Sequence, residues 1–452
     1  MKHTLEKSTM EKVIRQVAEK EIGEIVGTLC SFLIGLMQEN SPKEAEELFR
    51  KQLLSIGAKI LGEAFERADY QIRQVIRERG HRDDQGCFCD GGIEGKGCKP
   101  ITIQTILGEM QVNRWTGICK KCGKWIGSVE ELLDVVNGMS AAAAHVVSLA
   151  GTLQPYNQSE DLLHDLVGIE IDDNRIQRTI ISLSPRAEEC MIQSFSGNCG
   201  VLPPAESTVY VMIDGGRIRM RENNAWREPV CALLMWADEN GNWVKYGLSD
   251  PLHKEPVLTV LDEWLERLKI ANPEQEVVII ADGAGWIWNW ALKYTWAIKI
   301  LDYSHLKEHV WKAARILYGE GKKETEDWVD TIMDRLWRGW VPSTIEMLKQ
   351  MKSDENMGSV KRKALDKLVT YLKNHKGLIA YGKHRNAGRK IGSGSIESFC
   401  KQLFSMRMKG PGMFWSEEGA KAVMSLRTLY LTNNWDLLWQ KPKPINCVEN
   451  AA

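Results

Sequence analysis

Val209-Tyr210-Val211-Met212-Ile213-Asp214 is an unbroken apolar run that ends on a carboxylate and is followed by Gly215-Gly216. A short run rich in β-branched residues and closed by turn residues reads as a strand buried on both faces. A second run, Val277-Val278-Ile279-Ile280-Ala281, ends on Asp282 in the same way. A third acid, Glu397, follows Gly392-Ser393-Gly394-Ser395-Ile396 and opens a helix-like stretch. Two carboxylates at the carboxyl ends of buried strands and one on a later helix can converge on a point. Hard divalent cations such as Mg²⁺ take such oxygen ligands. Two ions about 3.5–4 Å apart can clamp the attacking and leaving oxygens of a phosphoryl transfer.

Working outward from these runs, strands are expected at 209–214, 230–236 and 242–248, then a helix at 255–268. A strand at 276–281, a helix near 286–294, a strand at 297–302 and a helix from about 306 follow. Three hairpin-connected strands followed by α/β crossovers give a mixed sheet with helices on its faces. This order, with acids on the first and fourth strands, is that of the ribonuclease H-like α/β fold. The expected core covers 205–318 and 381–440, with a helical insertion at 319–380. In the insertion Trp328, Ile332, Met333, Leu336, Trp337 and Trp340 recur at core-like spacing.

The chain of 452 residues is long enough for two or three domains. Hydrophobic content of 43%, charged content of 26% and a net charge of −1 fit a globular protein with no global basic signal for nucleic acid. Residues 1–20 mix charges and lack an apolar core, which argues against a signal peptide. The longest apolar run, 25–37, falls short of the roughly 20 residues of a membrane span and is expected to be a buried helix. The expected location is cytoplasmic, with no membrane partner.

The first 80 residues read as helical, with Leu48, Phe49, Leu53, Leu54, Ile60, Leu61 and Phe65 at helical spacing and a start at Ser41-Pro42. Residues 81–128 turn rich in Gly and Cys, with strands near 101–106 and 110–115. Five of the eleven cysteines fall within 87–122, and without a secretory signal a metal site is favoured over disulfides. Cys119-Lys120-Lys121-Cys122-Gly123 has the spacing of a zinc knuckle. A zinc ribbon of Cys87, Cys89, Cys119 and Cys122 is expected, its Zn²⁺ structural, with Cys98 as an alternative ligand. Between 139 and 190 helices return, with Ser140, Ser159 and Asp172 or Asp173 as candidate caps. Helix, turn and polar helix outline a helix-turn-helix carrying Arg175, Gln177 and Arg178 toward DNA. The tail at 441–452 is expected to be mobile.

Around Glu397 the charge is one-sided. Residues 381–410 hold seven bases, among them Arg385, Arg389, Lys390, Lys401, Arg407 and Lys409, against one acid, a local charge of +6. A basic strip beside one carboxylate suits a groove that tracks phosphates. Trp286, Trp288 and Trp290 could stack on bases, but their spacing favours core packing for at least two.

Several stretches carry a family resemblance: Ile213-Asp214-Gly215-Gly216-Arg217, Trp226-Arg227-Glu228, Ala281-Asp282-Gly283-Ala284-Gly285-Trp286, Leu301-Asp302-Tyr303-Ser304-His305, the segment ending on Glu397, and Arg407-Met408-Lys409 through Trp415. Over roughly residues 80–440 the chain resembles DDE-type transposases of bacterial insertion sequences, of the Kra-type group related to mutator-like elements. The resemblance implies that Asp214, Asp282 and Glu397 hold Mg²⁺ or Mn²⁺, and that His305 contacts the scissile phosphate or moves a proton. It further implies double-stranded DNA as partner, namely the element's ends and a target, and a homodimer or larger assembly. Rival expectations are a catalytically silent, domesticated DNA-binding regulator and a hydrolytic nuclease. A glycosidase with paired carboxylates explains neither the cysteines nor the basic strip.

Overall fold

A computed structural model describes residues 7–37, 41–82, 88–195 and 201–440. The chain divides into two compact units, Met1–Leu183 with Trp439–Ala452, and Ser184–Leu438.

The first unit opens with two long helices, α1 (Lys7–Met37) and α2 (Pro42–Arg79), with Pro42 at the first turn of α2, where its missing N–H costs nothing. The short strands β1 (His81–Arg82) and β2 (Phe88–Cys89) pair antiparallel. Next comes a long hairpin, β3 (Ile93–Thr105) and β4 (Gly108–Cys119), with β5 (Trp125–Gly127) on its edge. Both hairpin strands outrun the expected segments. Their buried face, Ile103, Met110 and Val112, packs with Leu61 and Phe65, while the far end of β3 alternates exposed Gly and Lys and carries no apolar signal. After α3 (Ser128–Leu133) come α4 (Ala141–Leu153), α5 (Tyr156–Val167) and α6 (Asp173–Gln193). Ser140 caps α4 by accepting from Ala143 N, and Asp172 caps α6 by accepting from Arg175 N at 2.9 Å. Ser159 does not cap: α5 begins earlier, and the Ser159 hydroxyl donates back to Pro155 O at 3.0 Å. Gly168, at φ 77°, turns α5 into the approach to α6.

Residues 25–37 are not the buried helix the sequence implies. Ile22, Val26, Leu29, Leu33 and Leu36 of α1 are 39–55% exposed.

The second unit is built on a five-stranded mixed sheet of β6 (Val209–Gly215), β9 (Val230–Ala237), β10 (Trp243–Asp250), β11 (Val277–Ala281) and β12 (Ile298–Leu301). A small ladder, β7 (Ile218–Arg219) with β8 (Trp226–Arg227), stands apart from it. The strand order is β10-β9-β6-β11-β12, antiparallel between β10, β9 and β6 and parallel between β6, β11 and β12. β6 and β11 are inner strands of the parallel part, and from Val209 to Ile213 and Val277 to Ala281 every side chain is at most 3% exposed. That burial explains the unbroken apolar runs. Truncating one of them, Ile280→Ala for example, costs about 2–5 kcal/mol. The crossovers are α7 (Glu255–Ala271) and α8 (Gly285–Ala291), and α9 (Tyr303–Tyr318) leaves β12 with Asp302 as its cap.

The helical insertion comprises α10 (Lys323–Trp337), α11 (Val341–Lys352) and α12 (Ser359–Asn374). Ile332, Met333 and Leu336 are buried in it, while Trp337 and Trp340 keep 37 and 48% exposure. Helices α13 (Tyr381–Asn386), α14 (Gly394–Cys400), α15 (Met406–Met408) and α16 (Glu417–Leu431) complete the unit. The architecture is mixed α/β. Among the described residues no helix is long and apolar enough to cross a membrane. Cys87 and the 441–452 tail lie outside the described residues.

Candidate metal centres

In the second unit the parallel register pairs Ala281 with Ile213, so Asp282 and Asp214 leave neighbouring strands side by side. Neighbouring strands are about 5 Å apart. Asp214 accepts the Gly215 N–H at 2.7 Å, and Asp282 accepts that of Ala284 at 2.9 Å. The Trp288 indole donates to the Asp282 carbonyl at 2.7 Å, which locks the turn. Among the described residues neither carboxylate pairs with a lysine or arginine. Burial pushes the Asp214 carboxyl above its ordinary value; the Gly215 N–H opposes this, and the negative charge of Asp282 adds to the rise.

Asp302 is fully buried beyond the end of β12, which runs parallel to β11. Its carboxylate accepts from His305 N at 2.7 Å, His305 Nδ1 at 2.9 Å and Ser393 N at 2.5 Å. Burial works against its charge, but the His305 side-chain bond and these N–H groups hold its carboxyl below the ordinary range. The Asp302 bond in turn raises the His305 imidazole to about 9, against the opposing effect of burial. His305 is therefore a cation at neutral pH. Glu397 sits in the first turn of α14, where its Oε1 accepts the Ser393 hydroxyl at 2.8 Å and lies 3.7 Å from His305 Nδ1.

The ligand atoms of Asp302, His305 and Glu397 all lie within 4.8 Å of one another and could hold a metal. Those of Asp214, Asp282 and Glu397 do not form such a group among the described residues. Glu397 is turned instead toward the His305 imidazole, the basic group nearest its carboxylate. All four acids still act on one histidine: His305 is raised by Asp302, Glu397 and Asp282, and it lowers Asp214.

Other side chains line this centre without having been singled out in the sequence. The ring of Tyr371, on α12, lies against Gly283, where an added Cβ would stand 2.6 Å from the ring. His309 stacks on the same ring with centroids 3.9 Å apart. The Tyr371 hydroxyl is buried with no hydrogen-bond partner among the described residues. Cys231, opposite Asp214 in the ladder, faces Cys400 of α14 at 2.8 Å between sulfurs. Of the tryptophans, Trp290 is buried and donates to Asp262, Trp288 holds the Asp282 turn, and Trp286 lies under Lys254.

The basic strip is thinner than the charge count implies. Arg407 is 2% exposed and stacks on Trp415, so it is part of the core. Arg389 pairs with Glu276, and Lys390 covers Trp243 at 4.2 Å. Arg385, Lys401 and Lys409 remain exposed. On α6, Arg178 is exposed while Arg175 and Gln177 are half-buried.

The first unit holds the second centre. The antiparallel β1–β2 pair sets His81 opposite Cys89, and the end of β4 with the turn after it supplies Cys119 and Cys122. His81 Nε2 lies 3.2 Å from Cys122 Sγ, and Cys89 Sγ lies 3.7 Å from Cys119 Sγ. The four ligand atoms fall within 4.8 Å of one another, and this buried group could hold a zinc ion. Tetrahedral zinc with Zn–S bonds of about 2.3 Å would set sulfurs about 3.8 Å apart, so the spacing fits. N–H donation from Cys122 and Lys121 lowers the Cys119 thiol to about 7, against the effect of burial, which suits a thiolate ligand. Gly91 is required here, since a Cβ would come within 2.5 Å of Cys119 Sγ. His81 completes the four among the described residues; Cys87, which the sequence reading named, lies outside them. Cys98 is exposed opposite Trp115, four positions along β4 from Cys119, and is not in the group.

No protein-family model matches the chain, and no curated protein matches it.

Proposed function

We propose that this chain is a DDE-type transposase with a ribonuclease H-like core, cutting DNA at the ends of an insertion sequence and joining those ends to a target. The observation that carries the reading is the placement of Asp214 and Asp282 side by side at the carboxyl ends of the inner parallel strands, with Glu397 and His305 at the same end. The strand order, with its antiparallel hairpin followed by parallel crossovers, supports the same fold. A nearby pair of carboxylates that no lysine or arginine among the described residues neutralises, one of them pushed toward its neutral form by burial, suits a site completed by a hard cation. Asp214, Asp282 and Glu397 would hold Mg²⁺ or Mn²⁺, which when bound supplies Lewis acidity and charge neutralisation at a phosphodiester.

The chain's own groups have separable tasks. Gly215 N–H, Ala284 N–H and the Trp288 indole fix the two aspartates and their turns. Ser393 orients Glu397. His305, kept protonated by Asp302, presents a positive N–H to a phosphate oxygen or to the leaving oxygen. Exposed Arg178 on α6, after the α5 turn, reads or tracks duplex DNA, and Arg385, Lys401 and Lys409 add phosphate contacts. His81, Cys89, Cys119 and Cys122 would hold a zinc ion whose role is structural, beside Ala68, Ile72 and Ile76 of α2, with which Cys89 and Cys119 pack.

The test is a strand-transfer assay with DNA spanning the borders of the gene, Mg²⁺ and a target plasmid, run beside Asp282→Asn. Border-specific nicks and joined products from the wild type alone support the transposase. Cutting without joining points to a hydrolytic nuclease, and specific binding without cutting to a regulator.

A further inference from the structure

Helix α1 carries two stripes. Val17, Glu21, Ile25, Thr28 and Phe32 form the more buried one. On this side Phe32 stacks on Phe49 of α2 with ring centroids 4.6 Å apart. The second stripe is Ile22, Val26, Leu29, Leu33 and Leu36, at intervals of four, three, four and three residues. These residues are 53, 55, 44, 47 and 39% exposed, and Ile34 and Met37 beside them are 51 and 82% exposed. Alternating steps of four and three are the seam of a coiled coil, which packs knobs into the holes of a facing helix with the same repeat. Scattered exposed apolar residues need no explanation, but a continuous row of this length does.

We propose that this seam is where two copies of the chain pair, α1 of one against α1 of the other. Three observations select a second copy as the occupant. First, the seam is self-complementary, so the helix that fits it best is another α1. Second, residues 25–37 contain no charged side chain, so the face offers nothing to a polyanion or to a charged peptide. Third, the exposed apolar surface is extensive: seven side chains at 39–82% exposure run along about four turns of α1, the kind of surface from which a standard interface of roughly 800 Å² per partner is built. The same pairing accounts for a 13-residue uncharged run lying on the outside of the chain. The inference is independent of the proposed reaction and stands or falls without DNA.

The full-length chain is tested by light scattering after size exclusion across micromolar concentrations, beside Leu29→Asp/Leu33→Asp and the control Ile270→Asp. Ile270 is 82% exposed on the other unit. The wild type and the control should run at twice the 51.3 kDa chain mass. The double variant should run as a monomer with unchanged helical circular dichroism. Leu29→Ala/Leu33→Ala, which keeps helix propensity, should weaken pairing at least about tenfold, so loss of the dimer cannot be blamed on unfolding. A monomeric wild type, or a dimer indifferent to both double variants, overturns the proposal. A monomer that floats with phosphatidylcholine and phosphatidylglycerol vesicles overturns it in favour of a lipid surface.

Discussion

Replacing Asp282, a proposed metal ligand, should stabilise the protein in chelator. Asp214 and Asp282 leave adjacent strands about 5 Å apart, and Asp214 is pushed toward its neutral form by burial and by Asp282. Two unit charges at that distance repel by about 3 kcal/mol at an effective dielectric of about 20. Partial solvent access reduces the usable part to about 1 kcal/mol. Asp282→Asn removes the repulsion while its Oδ1 keeps the 2.9 Å bond from Ala284 N. For a unit of this size about 1 kcal/mol moves Tm up by about 2–4 °C. On the proposed reading a divalent cation would do the same for the wild type by binding, with about 1.4 kcal/mol at ten times Kd. Thermal melts in chelator should therefore place Asp282→Asn above the wild type, and Mg²⁺ or Mn²⁺ should raise the wild type and leave the variant nearly unmoved. The sign with pH follows from the raised Asp214 carboxyl. Its stabilising contribution is present below its unfolded value, close to 3.8, and is lost as pH rises through its higher folded value. The advantage of Asp282→Asn should accordingly shrink in acid. An Asp282→Asn protein that melts lower than the wild type in chelator, yet keeps the metal response, would refute the reasoning.

Three further outcomes are expected. The His305 imidazole, followed by NMR in metal-free protein, should titrate near 9 and fall toward its ordinary range in Asp302→Asn. Because its folded value is raised, its stabilising effect is full below about 6.5 and should disappear as pH rises through 9. The wild type should carry one zinc per chain by elemental analysis, and His81→Ala or Cys119→Ser should lose it; Cys98→Ser should keep it, and retention in His81→Ala would remove His81 from the ligand set. Tyr371→Phe keeps the ring against Gly283 and His309 but deletes the orphaned hydroxyl, so Tm should hold or rise slightly. If that hydroxyl serves the reaction, single-turnover cleavage at saturating DNA should fall by about tenfold or more, and unchanged cleavage would assign it to packing.

What the sequence made legible follows a local period, and what it hid depends on pairing between distant segments. β6 and β11 could be read because an inner parallel strand is apolar at every position, and the acids stand where the burial stops. Gly168 and Asp172 could be read because caps and turns have local chemistry. His81 could not, since only the β1–β2 ladder sets it against Cys89, and a lone histidine after a long helix has no spacing signature. Tyr371 lies 89 residues beyond Asp282 in an insertion whose helical pattern says nothing about which side chain reaches back. Counting charge gave Arg407 to the groove, but a guanidinium on a buried indole face is a packing element. The α1 run failed differently. Its apolar residues called for cover, as such residues do, and the described chain supplies that cover to one stripe only. The requirement for burial was legible from the composition. That the second stripe is met by another molecule follows only once the fold has shown which residues α2 leaves open.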